Sequence, residues 1–390
     1  MSLAAVTVSG IIVARGLGET GRGQYAAVVS WYNVGLVLGE VGQSTALTFF
    51  NSRRPSGVRE SVRLSQRIML IASGTVCILG EALSPMLSGG DPGALTAYRL
   101  AFLGLPLNGL LGPYLYSFQA FRLSTWNILR GIQPILNVIA ILMLMLISKI
   151  SLSGAVFCLL ASTVCQLLLA VVSFRRAHGA TEGALVSASP LLAYGIKQAG
   201  SAVPSILASN LDRLYLSQAV VPAQLGRYAV AQSLMSVASG LGSGIASVAF
   251  PSFAARSGSV GRRAAEWRVV GMSVLGVLPL VVLLVIAAPR LIPWVFGAEF
   301  AGSVPLTIWL APAAVAQNLV IVMGALLRGR GLPGRAALAN VLALISSATV
   351  MMIAVPRLGV SGAAVGSLVG SCSAILIMAI VLMRRPPLAT

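Results

Sequence analysis

Apolar segments recur twelve times along the chain, near residues 3–14, 25–50, 68–88, 97–120, 132–148, 154–174, 191–219, 227–250, 269–288, 305–327, 337–355 and 361–383. Most reach the roughly 20 residues that a helix needs to cross about 30 Å of hydrocarbon. No other feature constrains the fold as strongly. Hydrophobic residues make up 57% of the chain and charged residues 9%. An ordinary soluble domain carries about 25% charged residues, so this chain cannot face water on all sides. The pattern predicts an all-α polytopic membrane protein of about twelve transmembrane helices.

The net charge of +18 invites a nucleic-acid reading. Sorting the 27 basic residues into alternate loops answers it: 18 fall on one side, among them Arg130, and 7 on the other. Lys197 and Arg213 remain, both inside the seventh segment. This is the asymmetry of a membrane protein whose basic loops face the cytoplasm. It places both termini in the cytoplasm and leaves no need for a nucleic-acid partner. Arg15, Arg22, Arg99 and Arg227 are expected as solvated residues around the outer rim.

The first segment is short, because only Met1 to Ala14 precede Arg15, and it lacks the basic start and cleavage site of a signal peptide. It predicts a first helix missing a turn or two, with the true start upstream.

Shifting the sequence by 203 positions aligns 23–53 with 226–256. Eleven of 31 pairs are then identical, including Gly23/Gly226, Tyr25/Tyr228, Ser30/Ser233, Gly39/Gly242 and Phe50/Phe253. "SLSGAV" at 151–156 echoes "GVSGAA" at 359–364, and Pro106 and Pro312 fall in the corresponding fourth and tenth segments. The chain therefore reads as two copies of a six-helix unit, 1–190 and 191–390. Six crossings return the chain to its starting side, so the copies share an orientation. Their pseudo-two-fold axis is expected along the membrane normal, an arrangement suited to alternating access about a central cavity. The small-residue steps Gly35/Gly39, Gly240/Gly244 and Gly362/Gly366/Gly370 predict close helix packing.

Several chemistries are missing. The two lysines, Lys149 and Lys197, follow Ser148 and Ile196, so neither completes a phosphate-binding P-loop. One histidine, His178, excludes a HExxH zinc site and most histidine-based triads. Cys77, Cys158, Cys165 and Cys372 lie inside apolar segments and read as small hydrophobes, not as disulfides or metal ligands. The longest outer loop, near 289–304, is short for a membrane glycosyl-polymerase or ligase. No enzyme activity, cofactor or metal is expected.

The informative residues are the charges inside segments: Glu40, Glu81, Lys197, Asp212 and Arg213. A charge at the bilayer centre costs about 2.5–3.5 kcal/mol even on the lenient insertion scale, so such groups usually face a wet interior. Near a helix end, snorkelling is the alternative, and Glu81 fits it. On the seventh helix Lys197, Ser201, Pro204, Ser205, Ala208, Asp212 and Tyr215 share one face, opposite Ile206, Leu207 and Leu214. This predicts a water-lining stripe, with Pro204 bending the helix.

"ARGLGETGRGQYAAV" at 14–28, "SNLDRLYLSQAVVPAQLGRYAVAQSL" at 209–234, "VFGAEF" at 295–300 and "VPRLGVSGAAVGS" at 355–367 together resemble polysaccharide-export proteins. These are the lipid-linked oligosaccharide flippases of the multidrug/oligosaccharidyl-lipid/polysaccharide (MOP) exporter superfamily. The resemblance implies a MATE-like fold of two six-helix bundles in a bacterial inner membrane. It implies a polyprenyl-pyrophosphate-linked oligosaccharide as cargo and membrane lipid around it, with polysaccharide polymerase machinery as a candidate partner; H⁺, Na⁺ or the cargo gradient alone are the open choices for what drives transport. As cavity cations it suggests Lys197 and Arg213, and Asn210, Asp212 and Arg213 match a recurring pattern of the family; with Glu40 and Ser201 from the charge and face analysis these are the candidate cavity residues. A MATE-type drug or metabolite antiporter and a lipid II flippase are the alternatives.

Overall fold

The protein is described from a computed structural model covering residues 2–53, 57–147, 150–177, 188–254 and 262–383. Among these residues there are helices and no strands. In chain order they are α1 (Ser2–Glu40), α2 (Gln43–Arg53), α3 (Val58–Leu87), α4 (Pro92–Leu103), α5 (Leu105–Phe121), α6 (Leu123–Ile147), α7 (Leu152–Ala177), α8 (Ala188–Ala219), α9 (Pro222–Ala254), α10 (Arg262–Phe296), α11 (Val304–Gly329), α12 (Pro333–Leu358) and α13 (Val360–Met383). A 3-10 turn, Ala298–Ser303, leads into α11.

Within the described residues, nine spans are long and apolar enough to cross a membrane, with α4 and α5 counted as one. The polarity of the helices is inverted relative to a soluble protein. On α3 the buried face carries Ser61, Ser65, Ser73 and Ser84, while Ile71 and Ile78 are each 72% exposed. The serines need no water: Ser73 and Ser84 donate to the carbonyls of Met69 and Gly80 on the preceding turn. Apolar side chains outside and self-satisfied small ones inside suit a lipid solvent.

Two breaks shape the N-terminal part. α1 runs straight through Arg15 and turns at Gly18, whose φ of 68° and ψ of −175° favour glycine. The first two apolar segments are therefore joined by a kink, not by a loop. Arg22 in consequence is not a solvated rim residue: it is 8% exposed, with its guanidinium 6.0 Å from the Tyr25 ring centroid. Arg15 and Arg99 remain exposed. The second break is at Val41 (φ 48°) and Gly42 (φ 65°), where α1 ends and α2 begins. A Cβ on Gly42 would collide with the carbonyl of Gly195. The break thus lets the α8 backbone approach α2, and Tyr194 stacks on Phe49 with ring centroids 4.6 Å apart.

The chain forms two compact units, Met1–Ile206 and Leu207–Thr390, which divide inside α8. The contacts of Gly195 and Tyr194 explain why the first half of α8 is counted with unit 1, past the 190/191 boundary expected from the repeat. Equivalent residues of the repeat behave alike in the two units. Tyr25 and Tyr228 are both buried. Ser30 and Ser233 each donate to the carbonyl four residues back, at 2.7 Å.

Glycine packing follows the expected pattern on α13. A Cβ on Gly362 would lie 2.5 Å from the Ala354 carbonyl, and one on Gly370 would lie 2.8 Å from the Ala343 oxygen, so α13 is seated directly on the α12 backbone. Gly39 is equally close to Ser73. The Gly240/Gly244 step does not behave this way. A Cβ on Gly244 meets nothing within 4 Å, and it is Gly242 that faces Asn318 closely. At the opposite end of α3 Asp91 caps α4, accepting from Ala94 N at 2.9 Å and from the Gln24 amide at 2.9 Å. These bonds hold its carboxyl below the usual carboxylate range.

Candidate functional site

The six residues singled out in the sequence lie in different surroundings. Lys197 is exposed on the first half of α8, with no carboxylate in ion-pairing distance among the described residues. Gly195 and Ala199 face α2, and Lys197 lies about 200° round the helix from Gly195. It therefore points away from Glu40 and the break at Val41–Gly42. The side chain of Ser201 falls outside the described residues.

Asn210 and Asp212 are buried, at 7% and 5% exposure. One Asp212 oxygen, Oδ2, accepts from the Tyr228 hydroxyl and from the Gln232 amide, each at 2.7 Å. The other accepts from Arg213 N at 2.8 Å. Tyr228 and Gln232 are one turn apart on α9, so the carboxylate pins α9 to α8. Ser367 of α13 also bonds the Tyr228 hydroxyl. A buried carboxylate is tolerable only with such partners. Asp212 is thus a tie between helices of unit 2 and does not line water. Elsewhere on the expected stripe Pro204, Ser205, Ala208 and Tyr215 are half-buried; on the opposite face Ile206 and Leu207 are half-buried and Leu214 is buried. Arg213 is half-buried beside this tie, its charge felt at the Tyr228 phenol.

Glu40 is half-buried at the helix break. Its Oε1 accepts from Ser44 N at 3.3 Å, placing a carboxylate at the N-terminus of α2, where the helix dipole favours negative charge. This residue belongs to a polar surface that sequence reasoning did not assemble. Thr48 on α2 donates to Gln119 Oε1 on α5 at 3.1 Å. Tyr116 lies one turn from Gln119 on α5. The Arg130 guanidinium sits 5.1 Å from the Trp126 ring centroid on α6. Glu40, Ser44, Thr48, Tyr116, Gln119 and Trp126 are all half-buried, and Arg130 is exposed. Among the described residues no group of three or more His, Cys, Asp or Glu side chains could hold a metal ion.

Two helical units with lipid-adapted surfaces and only a few charges inside the apolar segments define a polytopic membrane protein with the two-lobed MATE-like fold. A multidrug resistance MATE family transporter of the MOP superfamily, in an inward-facing conformation, superposes at a TM-score of 0.77 with 14% identity, covering 98% of this chain and 94% of its own. The lipid II flippase MurJ, inward closed, gives 0.82 with 11% identity over 98% and 86%. An outward-facing MATE transporter of the MOP superfamily gives 0.67 with 16% identity over 98% and 91%. Residues 12–305 match the family described as polysaccharide biosynthesis protein, and the chain belongs to that family. No curated protein matches the sequence.

Proposed function

We propose that the protein is a flippase that carries a polyprenyl-pyrophosphate-linked oligosaccharide across the bacterial inner membrane by alternating access, for synthesis of a surface polysaccharide. The observation that carries this reading is the family match over residues 12–305. The physics of the cargo supports it. A polyprenyl tail gains about 0.8 kcal/mol per buried methylene and stays in lipid throughout. The sugar-pyrophosphate head cannot follow it, because unpaired charge in hydrocarbon is prohibitive. A protein that moves the head must offer cations and hydrogen-bonding groups at membrane depth. Lys197 is exposed and Arg213 half-buried, whereas the Asp212 carboxylate is occupied by its own helix partners. That balance favours an anionic head over the organic cations of an antiporter.

The test is reconstitution. Liposomes containing a fluorescent polyprenyl-pyrophosphate oligosaccharide in both leaflets are treated outside with a membrane-impermeant quencher. With the protein present, the inner-leaflet pool should become quenchable; export of organic cations with no movement of the glycolipid would remove this proposal. In the same assay Lys197→Ala is expected to stop transfer and Lys197→Arg to keep part of it. Transfer at the wild-type rate by both variants takes Lys197 out of the mechanism.

A further inference from the structure

We infer that the C-terminal end of α10 holds one anionic phospholipid of the surrounding membrane, with its phosphate on Arg290 and an acyl chain in the groove beside it. The site is independent of the proposed cargo. An open groove of about 750 Å³ lies there, walled by Leu283, Ile286, Ala287, Leu291 and Trp294, with Arg290 as the one charged residue of its lining. That volume is in the range of small-molecule sites. The level of Arg290 follows from the helix itself. α10 carries no charged residue between Arg268 and Arg290. That stretch measures about 33 Å along a helix, close to the roughly 30 Å of a hydrocarbon core. The two arginines mark its two boundaries, and Arg290 stands level with lipid phosphates.

Arg290 is exposed, and among the described residues it has no hydrogen bond or ion pair. Leu283, Ile286 and Trp294 share its face of the helix. They are 61%, 72% and 76% exposed, so no described helix covers that face. Leu283 and Ile286 lie on the mid-membrane side of Arg290. Trp294 lies one turn beyond it, where an interfacial aromatic belongs. Apolar wall, then guanidinium, then indole is the order in which a phospholipid presents its chain, its phosphate and its head. A guanidinium fork meets phosphate oxygens two at a time. The groove lining has no carboxylate to receive the ammonium of a zwitterionic head, which favours an anionic lipid. Pro293 has no N–H to give the carbonyl of Pro289, so an acceptor remains next to Arg290 in the chain. A hydroxyl-bearing head such as that of phosphatidylglycerol suits it. A second copy of the chain packed on this face about a two-fold axis would bring two unpaired Arg290 charges into one interface.

Trp294 is a built-in reporter. The protein is placed in phosphatidylethanolamine vesicles that contain a minor fraction of phosphatidylglycerol with brominated chains, which quench tryptophan on contact. Trp294→Phe in each background supplies the blank for the other tryptophans. Phosphatidylglycerol should be enriched at Trp294 about 10-fold over its share of the bilayer, the low end for a hydrogen bond to a charged group. Arg290→Gln should bring the quenching down to the bulk share, and Arg290→Lys should keep part of the enrichment. Ala287→Phe, which fills the groove and leaves the cation, should lower it too. Arg357→Gln, at an exposed arginine in the last turn of α12, should leave it unchanged.

Bulk-level quenching in the wild type overturns the inference, and so does enrichment that survives Arg290→Gln. Equal enrichment of brominated phosphatidylethanolamine in the reverse mixture defeats it as well, because the charge then selects nothing. Relief of quenching by inorganic phosphate would assign Arg290 to a soluble anion instead. In detergent stripped of phospholipid, Arg290→Gln should melt at the wild-type temperature; a drop there would make Arg290 a support of the fold and end the assignment. None of these outcomes touches the flippase reading, which is tested by movement of the glycolipid.

Discussion

The charge clamp at the end of α13 is the sharpest test of how unit 2 is held together. Arg330 and Glu266 are 3% and 1% exposed in their side chains. Nε of Arg330 donates to Glu266 Oε1 at 2.9 Å and to Oε2 at 3.2 Å, and Nη2 donates to Oε2 as well. The rest of the fork reaches the carbonyls of Val381 at 3.4 Å and Leu382 at 2.9 Å. Those carbonyls belong to the last turn of α13 and have no partner inside their own helix. One arginine therefore joins α10, α11 and α13. Arg330→Leu removes the bidentate guanidinium from buried Glu266 and uncaps two carbonyls, which should cost about 3–5 kcal/mol. Glu266→Leu should cost about 1–2 kcal/mol less, because the guanidinium keeps two carbonyls at the negative end of a helix dipole. In the double variant no buried charge remains. Replacing a whole buried pair by apolar residues is often near neutral, so the double variant should be more stable than Arg330→Leu alone. Thermal unfolding of the four proteins in one detergent reads the cycle. A double variant as unstable as the sum of the two single changes would refute the idea that the pair is coupled in a dry environment.

Two further predictions concern packing. Gly362→Ala and Gly370→Ala force a methyl into the α12 backbone and should each destabilise by about 1–3 kcal/mol. Gly276→Ala on α10, where a Cβ meets nothing within 4 Å, should be neutral or slightly stabilising; equal melting temperatures for all three would contradict the tight α12–α13 contact. Asp212→Ala strands the Tyr228 hydroxyl and the Gln232 amide, an expected loss of about 1–3 kcal/mol, with Asp212→Asn milder. Lost transport by Asp212→Ala at an unchanged melting temperature would show that the carboxylate serves the cargo and not the fold.

Much of the architecture was legible because lipid makes simple demands. Apolar runs of spanning length and a 203-residue echo need no tertiary information; Tyr25 and Tyr228 are both buried, and Ser30 and Ser233 both donate to the carbonyl four residues back. What escaped was backbone shape. Gly18 falls between the separate apolar segments 3–14 and 25–50, yet this one residue with positive φ turns the chain and keeps both neighbours helical. The break at Val41–Gly42 depends on Gly195, more than 150 positions away, approaching so closely that no side chain fits. Gly244 has the same small-residue spacing as Gly366, but a Cβ added there would meet nothing within 4 Å. Spacing shows that two helices can approach closely; it does not show which glycine of a run takes the tightest contact.

The candidate site was harder to read for the same reason. A helical wheel grouped Asp212 with Lys197, but it cannot tell a face turned to water from one turned to a tyrosine and a glutamine on the next helix. Tyr228 and Gln232 meet that carboxylate, and their spacing of four on α9 was the available hint. Arg130 was counted with the loop arginines because the apolar run begins near 132, whereas the helix begins at Leu123. The Trp126–Arg130 spacing of four, which puts a ring beneath a guanidinium, was the signal that could have moved it inside. Setting the two residues side by side sharpens the functional reading. The intrahelical carboxylate the sequence offered in unit 2 is consumed by the fold, while the cations at Lys197 and Arg130 stay exposed without a carboxylate in reach among the described residues. An exposed cation within a membrane span calls for an anion or water to face it, and that is the demand the proposed anionic cargo would answer.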